Sequence, residues 1–294
     1  MKSSGILSKL KSNYLLKILF NNLLKKKSLD IIKYNNNLKS RINININNYK
    51  EYSEIYSSIE IEIKPNNDEY GNFIHIDKEN EIYFHIYFDD NKEKIKRNYL
   101  IENEQIKIIK IIIDYQVISF EGLFSFCKCI EYINFKKFYR TNITNMSGMF
   151  YKCLSLKKLN LSNFNTNNVT NMSCIFYGCS SLKELNLSNF NTNNVIDMSG
   201  VFYGCSSLKE LNLSNFNTNN VTNMCCMFYE CSSLKELNLS IFNNNNNVTD
   251  MTGMFFGCSS LKELNLSNFN TNNVTNTNDM FYGCSEQLKL NIKF

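Results

Sequence analysis

The 294-residue chain is 43% hydrophobic and 20% charged, an ordinary soluble balance with length for two or three folded units. No apolar run approaches the roughly 18 residues of a membrane-crossing helix. Ile6 to Leu24 is interrupted by Lys9, Lys11, Asn13, Lys17, Asn21 and Asn22, which argues against a signal peptide. A cytoplasmic location is therefore expected, with the cell surface as the alternative. The net charge of +5 hides a partition: residues 1–50 hold ten Lys and Arg41 against Asp30 alone, whereas residues 149–294 are balanced. That basic patch could meet nucleic acid, an anionic membrane surface or an acidic partner. Packing against the acidic middle of the chain, with solvated lysines, is the preferred reading.

Residues 1–48 form the first expected region, a basic helical segment. Leu15, Leu16, Leu19, Phe20 and Leu23, then Leu29 and Ile32, recur at helical spacing, which predicts two helices within residues 5–40. Lys25 to Lys27 end the first and Ser28 caps the second. The run Leu15-Leu16-Lys17-Ile18-Leu19-Phe20, with Leu29 onward, resembles an F-box. An F-box ahead of leucine-rich repeats would imply a ubiquitin-ligase substrate adaptor.

Residues 49–116 form the second expected region. Ile59, Ile61 and Ile63 alternate with Glu, and Ile82 to Phe88 and Ile106 to Ile113 are rich in β-formers, so this is a β-rich segment that caps the repeats.

Residues 117–294 form the third. Cys127, Cys153, Cys179, Cys205 and Cys231 are each 26 apart, Cys258 follows after 27 and Cys284 after 26, the odd step coming from one extra residue in Asn243 to Asn247. In one unit the apolar skeleton is Phe202, Cys205, Leu208, Leu211, Leu213, Phe216, Val221 and Met224. One such unit cannot stand alone: about eight apolar side chains at roughly 1.5 to 3 kcal/mol each do not offset ordering about 26 residues at roughly 1 to 2 kcal/mol each. Stacking on neighbours must supply the rest. Leu211 and Leu213 alternate with Glu210, Asn212 and Ser214, which predicts a short parallel strand. Val195, Met198, Phe202 and Cys205 are spaced by 3, 4 and 3, which predicts a short helix. Asn145, Asn171, Asp197, Asn223, Asp250 and Asn276 would cap its start, and Gly178, Gly204, Gly257 and Gly283 its end. Shifting Phe135, Phe138, Ile143 and Met146 back by 26 lands on Ile109, Ile112, Val117 and Phe120, so a degenerate unit opens the series. The expected architecture is an α/β repeat solenoid.

The run Phe202-Tyr203-Gly204-Cys205-Ser206-Ser207-Leu208-Lys209-Glu210-Leu211 resembles BspA-like leucine-rich repeats, as does Asn219-Asn220-Val221-Thr222-Asn223-Met224. The resemblance covers about Leu123 to Phe294. It implies a right-handed solenoid without catalysis, in a family described as surface-associated binding or adhesion proteins. Thr277 in place of Met, and Leu288 one position late after Cys284, depart from the pattern.

The Cys column places one thiol per unit in a line, which does not converge four metal ligands; it is expected to pack the interior. Neither a metal nor another cofactor is expected. His75 and His85 have no neighbouring Cys, Asp and Ser set in sequence that reads as a triad, and no nucleotide-binding motif occurs. Surface columns remain. On the strand face these are Lys183, Lys209, Lys235 and Lys262; Glu184, Glu210, Glu236 and Glu263; and Asn186, Asn212, Asn238 and Asn265. Along one edge run Tyr151, Tyr177, Tyr203, Tyr229 and Tyr282, with Phe256 in the series. Either set could contact a protein partner. A non-catalytic binding or scaffolding module is the expected function, with the ubiquitin-ligase adaptor and an adhesin as alternatives; nucleic acid is not expected as partner, and peripheral membrane contact rests on the basic N-terminus.

Overall fold

The computed structural model describes residues 11–16, 36–42, 54, 56–242, 247–269 and 272–292. The chain divides into two compact units, Met1–Ser57 and Ser58–Phe294. In the first, helix α1 spans Asn36–Ile42. Leu16 and Leu38 are buried, and Arg41 Nε donates to Asn13 Oδ1 at 3.0 Å. Most of the two helices expected within residues 5–40 lies outside the described residues, and α1 starts beyond Leu29 and Ile32.

The second unit opens with strands β1 (Ile59–Pro65), β2 (Gly71–Asn72), β3 (Phe84–Phe88), β4 (Tyr99–Leu100) and β5 (Ile109–Ile113). Strands β1, β3 and β5 bury alternate residues, because side chains two apart share one face of a strand. With β6 (Ile130–Lys137) and β7 (Lys158–Asn160) they form one sheet in the order β3-β5-β1-β6-β7. Strand β6 is antiparallel to β1 on one side and parallel to β7 on the other. The β-rich segment therefore occupies the free edge of the first repeat strand. Ile109 and Ile112 do not form the strand of a degenerate repeat: β5 runs antiparallel to β1, which lies between β5 and β6. The repeat register holds only from the turn region, where Ser119 bridges Asn145 and Phe120 N–H donates to Asn145 O.

From there each coil, of 26 residues or in one case 27, lies against the next, with parallel bridges running Ser119, Asn145, Asn171, Asp197, Asn223, Asp250 and Asn276 in register. The coils bury their Val, Met, Phe, Cys and Leu positions, except that Leu211 and, in the last coil, Val274, Phe281 and Cys284 are partly buried; they also bury a column left out of the sequence skeleton: Met149, Ile175, Val201, Met227 and Met254.

The helix expected in each coil is absent. Tandem β-turns replace it. Ile175, Tyr177 and Cys179 N–H donate to Met172, Cys174 and Phe176 O within the coil, while Met172, Cys174, Phe176 and Gly178 N–H donate to Asp197, Ser199, Val201 and Tyr203 O of the next. A helix would spend both sets of amides internally; here every second one ties neighbouring coils together. Two positions per coil, four apart, have positive φ: Gly200 (58°) and Gly204 (64°) in one, Cys174 (55°) and Gly178 (69°) in another. Each is the third residue of a turn, where type II geometry requires positive φ. Glycines at both places weaken a helix by roughly 1 kcal/mol each and suit these turns. The 3-4-3 spacing of apolar residues fits either structure. The Asn/Asp column begins the turns as Asx motifs: Asp197 Oδ1 accepts Ser199 N–H at 2.8 Å and Asn171 Oδ1 accepts Ser173 N–H at 2.9 Å.

Candidate functional site

The Cys column lies inside the stack. Cys153 Sγ donates to Phe124 O at 2.9 Å, and Cys179, Cys205, Cys231, Cys258 and Cys284 repeat the contact to the coil before at 3.0 to 3.2 Å. The accepting carbonyl also takes the turn amide of its own coil, as Phe176 O does from Cys179 N–H. A thiol suits this place because it fills apolar space and still supplies a donor. Burial pushes Cys205 and Cys258 up to about 12, so they stay protonated as donors. No group of ligands able to hold a metal ion occurs among the described residues. His85 Nε2 lies 3.1 Å from Asp114 Oδ2, a pairing that sequence separation concealed.

The Tyr column is a continuous stack. Ring centroids are 4.5 Å apart for Tyr151–Tyr177, 4.1 Å for Tyr177–Tyr203, 4.4 Å for Tyr203–Tyr229 and 4.4 Å for Tyr229–Phe256, with Tyr282 next after Phe256 at 5.1 Å. Both faces of each inner ring are covered, and burial raises the Tyr177 phenol above its ordinary range. Desolvation likewise raises the Tyr203 phenol. Tyr282 alone in the column is largely exposed.

Ring spacing differs between the columns of the stack. The buried Phe150, Phe176, Phe202, Phe228 and Phe255 are 5.5 to 5.8 Å apart. At the end of the strand segments, Phe164–Phe190, Phe190–Phe216 and Phe242–Phe269 are 5.6, 6.4 and 6.2 Å apart. Ring spacing is thus smallest along the Tyr edge and largest in the Phe column beside the strand segments.

Strands β8 (Glu236–Asn238), β9 (Glu263–Leu266) and β10 (Lys289–Ile292) pair in parallel, with Glu236 beside Glu263 and Asn238 beside Asn265. The segments at Leu182–Ser188 and Leu208–Ser214 carry the same sequence pattern and form no strand ladder. Lys183, Glu184, Asn186, Lys209, Glu210, Asn212, Lys235, Glu236, Asn238, Lys262 and Glu263 are exposed, and Asn265 is half-buried. The sequence columns thus do face outward. Leu211, expected to be fully inward, is half-buried because its coil has moved from the next one, while the matching Leu237 and Leu264 are buried.

Side-chain amides hold coils where the ladder is missing. Asn189 Nδ2 donates to Leu161 O and Phe164 O, both at 2.8 Å, and Asn215 Nδ2 to Leu187 O at 3.0 Å and Phe190 O at 2.7 Å. Asn163 and Asn268 occupy the same column and reach back to Lys136 O and Ser240 O. Sequence reading missed these clamps; the visible signal was a column of Asn broken by Ile241.

Coils of this kind, with inward leucines and repeating turns, are those of a leucine-rich, BspA-like repeat protein. The chain belongs to the family described as Mycoplasma protein of unknown function, DUF285, whose model matches residues 118–236 and again 197–293. A leucine-rich repeat protein of known structure from Bacteroides ovatus aligns at 17% identity over 62% of this chain and 60% of that one, with a TM-score of 0.26. The chain thus spans less than two thirds of that protein's length. No curated protein matches. The family match begins after the residues that resemble an F-box, and it lends that resemblance no support. No helix among the described residues is long and apolar enough to cross a membrane.

Proposed function

We propose that the stacked coils form a solenoid whose strand face binds a protein partner, making the chain a non-catalytic scaffold. The observation that carries this reading is the exposed Lys, Glu and Asn array from Lys183 to Glu263, repeated in four successive coils. Regular alternating charge over several coils suits recognition of an extended surface more than chemistry at one point. The Tyr edge is the weaker candidate, because its ring faces are used in stacking on one another. Eleven free thiols, six of them donating along the coil stack, suit a reducing compartment such as the cytoplasm. The test is affinity capture on the full chain followed by mass spectrometry, compared with a variant in which Glu184, Glu210 and Glu236 are all changed to Lys. The variant should keep its circular dichroism spectrum and lose the captured proteins, since exposed charges contribute under about 1 kcal/mol each to stability. Capture unchanged by the triple substitution, but lost when Tyr177, Tyr203 and Tyr229 become Ser, would move the site to the Tyr edge.

A further inference from the structure

One coil pair differs from all the others on the strand side. Between Lys158–Asn160 and the coil before it there is strand pairing, and the same holds among β8, β9 and β10. The next two steps lack pairing and are clamped by Asn189 and Asn215. The step from Leu208–Ser214 to Leu234–Ser240 has neither. Ile241 stands in the clamp column and has no group to donate, so among the described residues no side-chain amide reaches Leu213 O or Phe216 O. The Phe column breaks at the same step: Phe216 and Phe242 make no ring contact, while Phe202–Phe228 behind them stays at 5.5 Å. Thr218 is a second sign. Thr166 and Thr192 donate to Asn191 O and Asn217 O of the following coil, whereas the Thr218 hydroxyl is buried with no partner, where the coil with the extra residue follows. The result is a cleft of about 450 Å³ between the two coils, lined by Lys209, Leu211, Leu213, Glu236, Asn238 and Ile241 among others.

We propose that this cleft takes an extended peptide segment of the protein partner, which supplies the amide that Ile241 cannot and an apolar side chain that packs over Leu211 and Ile241. The proposal rests on the strand-face reading and narrows it to one place. Hydrogen-bond complementarity specifies the ligand: at the neighbouring interface the equivalent carbonyls, Leu187 O and Phe190 O, accept the one amide of Asn215, and an extended segment with Asn beside an apolar residue presents that pattern. Such binding uses backbone and amide donors for affinity and the pocket for selection.

The probe is a fluorescein-labelled peptide copying Lys183–Thr192, the segment that carries the clamp residue Asn189, titrated with the full chain and followed by anisotropy. Saturable binding is expected, at least tenfold weaker for a control peptide with Asn189→Leu. In the chain, Ile241→Asn should close the cleft, raise the melting temperature and weaken the peptide at least tenfold, whereas Ile241→Val should leave binding within twofold. A chain that does not bind the peptide, a peptide that binds Ile241→Asn as tightly as the natural chain, or an Ile241→Asn chain that melts lower, overturns the proposal. If the peptide fails while the triple Glu→Lys variant still loses its captured proteins, the cleft is rejected and the strand-face reading stands.

Discussion

Cys205 Sγ donates to Phe176 O of the preceding coil at 3.2 Å, and the same oxygen accepts Cys179 N–H within its own coil. One buried carbonyl thus joins two coils through two donors of different strength. Replacing Cys205 by Ala removes the intercoil donor and leaves a small void. The expected cost is about 1 to 2 kcal/mol, read as a lower midpoint in urea unfolding. An unchanged midpoint would mean that the thiol only fills space.

The same thiols make stability depend on alkaline pH. Their ordinary value is 9.0, and burial raises Cys205 and Cys258 to about 12 in the folded chain. The unfolded chain gives up these protons from about pH 9 upward while the folded chain keeps them. Stability is therefore unaffected below pH 9 and falls as pH rises towards 12. Melting temperatures measured from pH 7 to 11 should show this decline, with a shallower slope in Cys205→Ala. Parallel slopes for the two proteins would remove the thiol from the explanation.

Glu230 has a φ of 54° at the place where Gly178, Gly204 and Gly257 sit in other coils. A side chain there costs roughly 1 to 2 kcal/mol, so Glu230→Gly should raise stability by about 1 kcal/mol. Conversely, Gly257→Ala combines a φ of 67° with a new Cβ only 3.2 Å from Glu230 Cγ, and should destabilise the chain. Because the two sites touch, the double variant should recover part of that loss. Strict additivity in a double-mutant cycle would show that the crowding is not felt.

Leu211 and Leu237 occupy equivalent positions in adjacent coils, one half-buried beside the cleft and the other buried. Leu237→Ala should cost about 2 to 5 kcal/mol, in the range of buried leucines. Leu211→Ala should cost less, by about 1 kcal/mol or more, since less surface is removed from water in its natural state. Equal costs by chemical denaturation would show that the cleft is closed in solution.

The cysteine period, the inward leucines and phenylalanines, and the outward Lys, Glu and Asn columns were legible because each occupies one position in a repeating pattern. The local backbone was not. Val195, Met198, Phe202 and Cys205 share a face in a helix and in tandem turns alike, and the deciding signal was the pair Gly200 and Gly204, four apart inside the supposed helix. Ile109 to Ile113 matched the repeat by translation, yet apolar spacing carries no strand direction, and β1 pairs with it antiparallel. Ile241 looked like ordinary variation, because the amide contacts of Asn189 and Asn215 join residues 25 and 28 positions apart.

The tandem turns have an electrostatic consequence for the stack as a whole. In coil after coil, four amides such as those of Met251, Gly253, Phe255 and Gly257 point forward to Asn276, Asn278, Met280 and Tyr282 O. Strands in ordinary sheets alternate their dipoles and nearly cancel; here four forward amides outnumber the one at Thr170, Ile196, Thr222, Thr249 or Thr275 that donates back to the coil before, so a net alignment remains. The stack therefore has an axial polarity like that of an α-helix, with its positive pole towards residues 276–284 and its negative pole towards Phe120, where the β-sheet lies. Such a polarity favours anionic groups at the end near residues 276–284, by the few tenths to about 1 kcal/mol of a helix terminus and less as salt is raised.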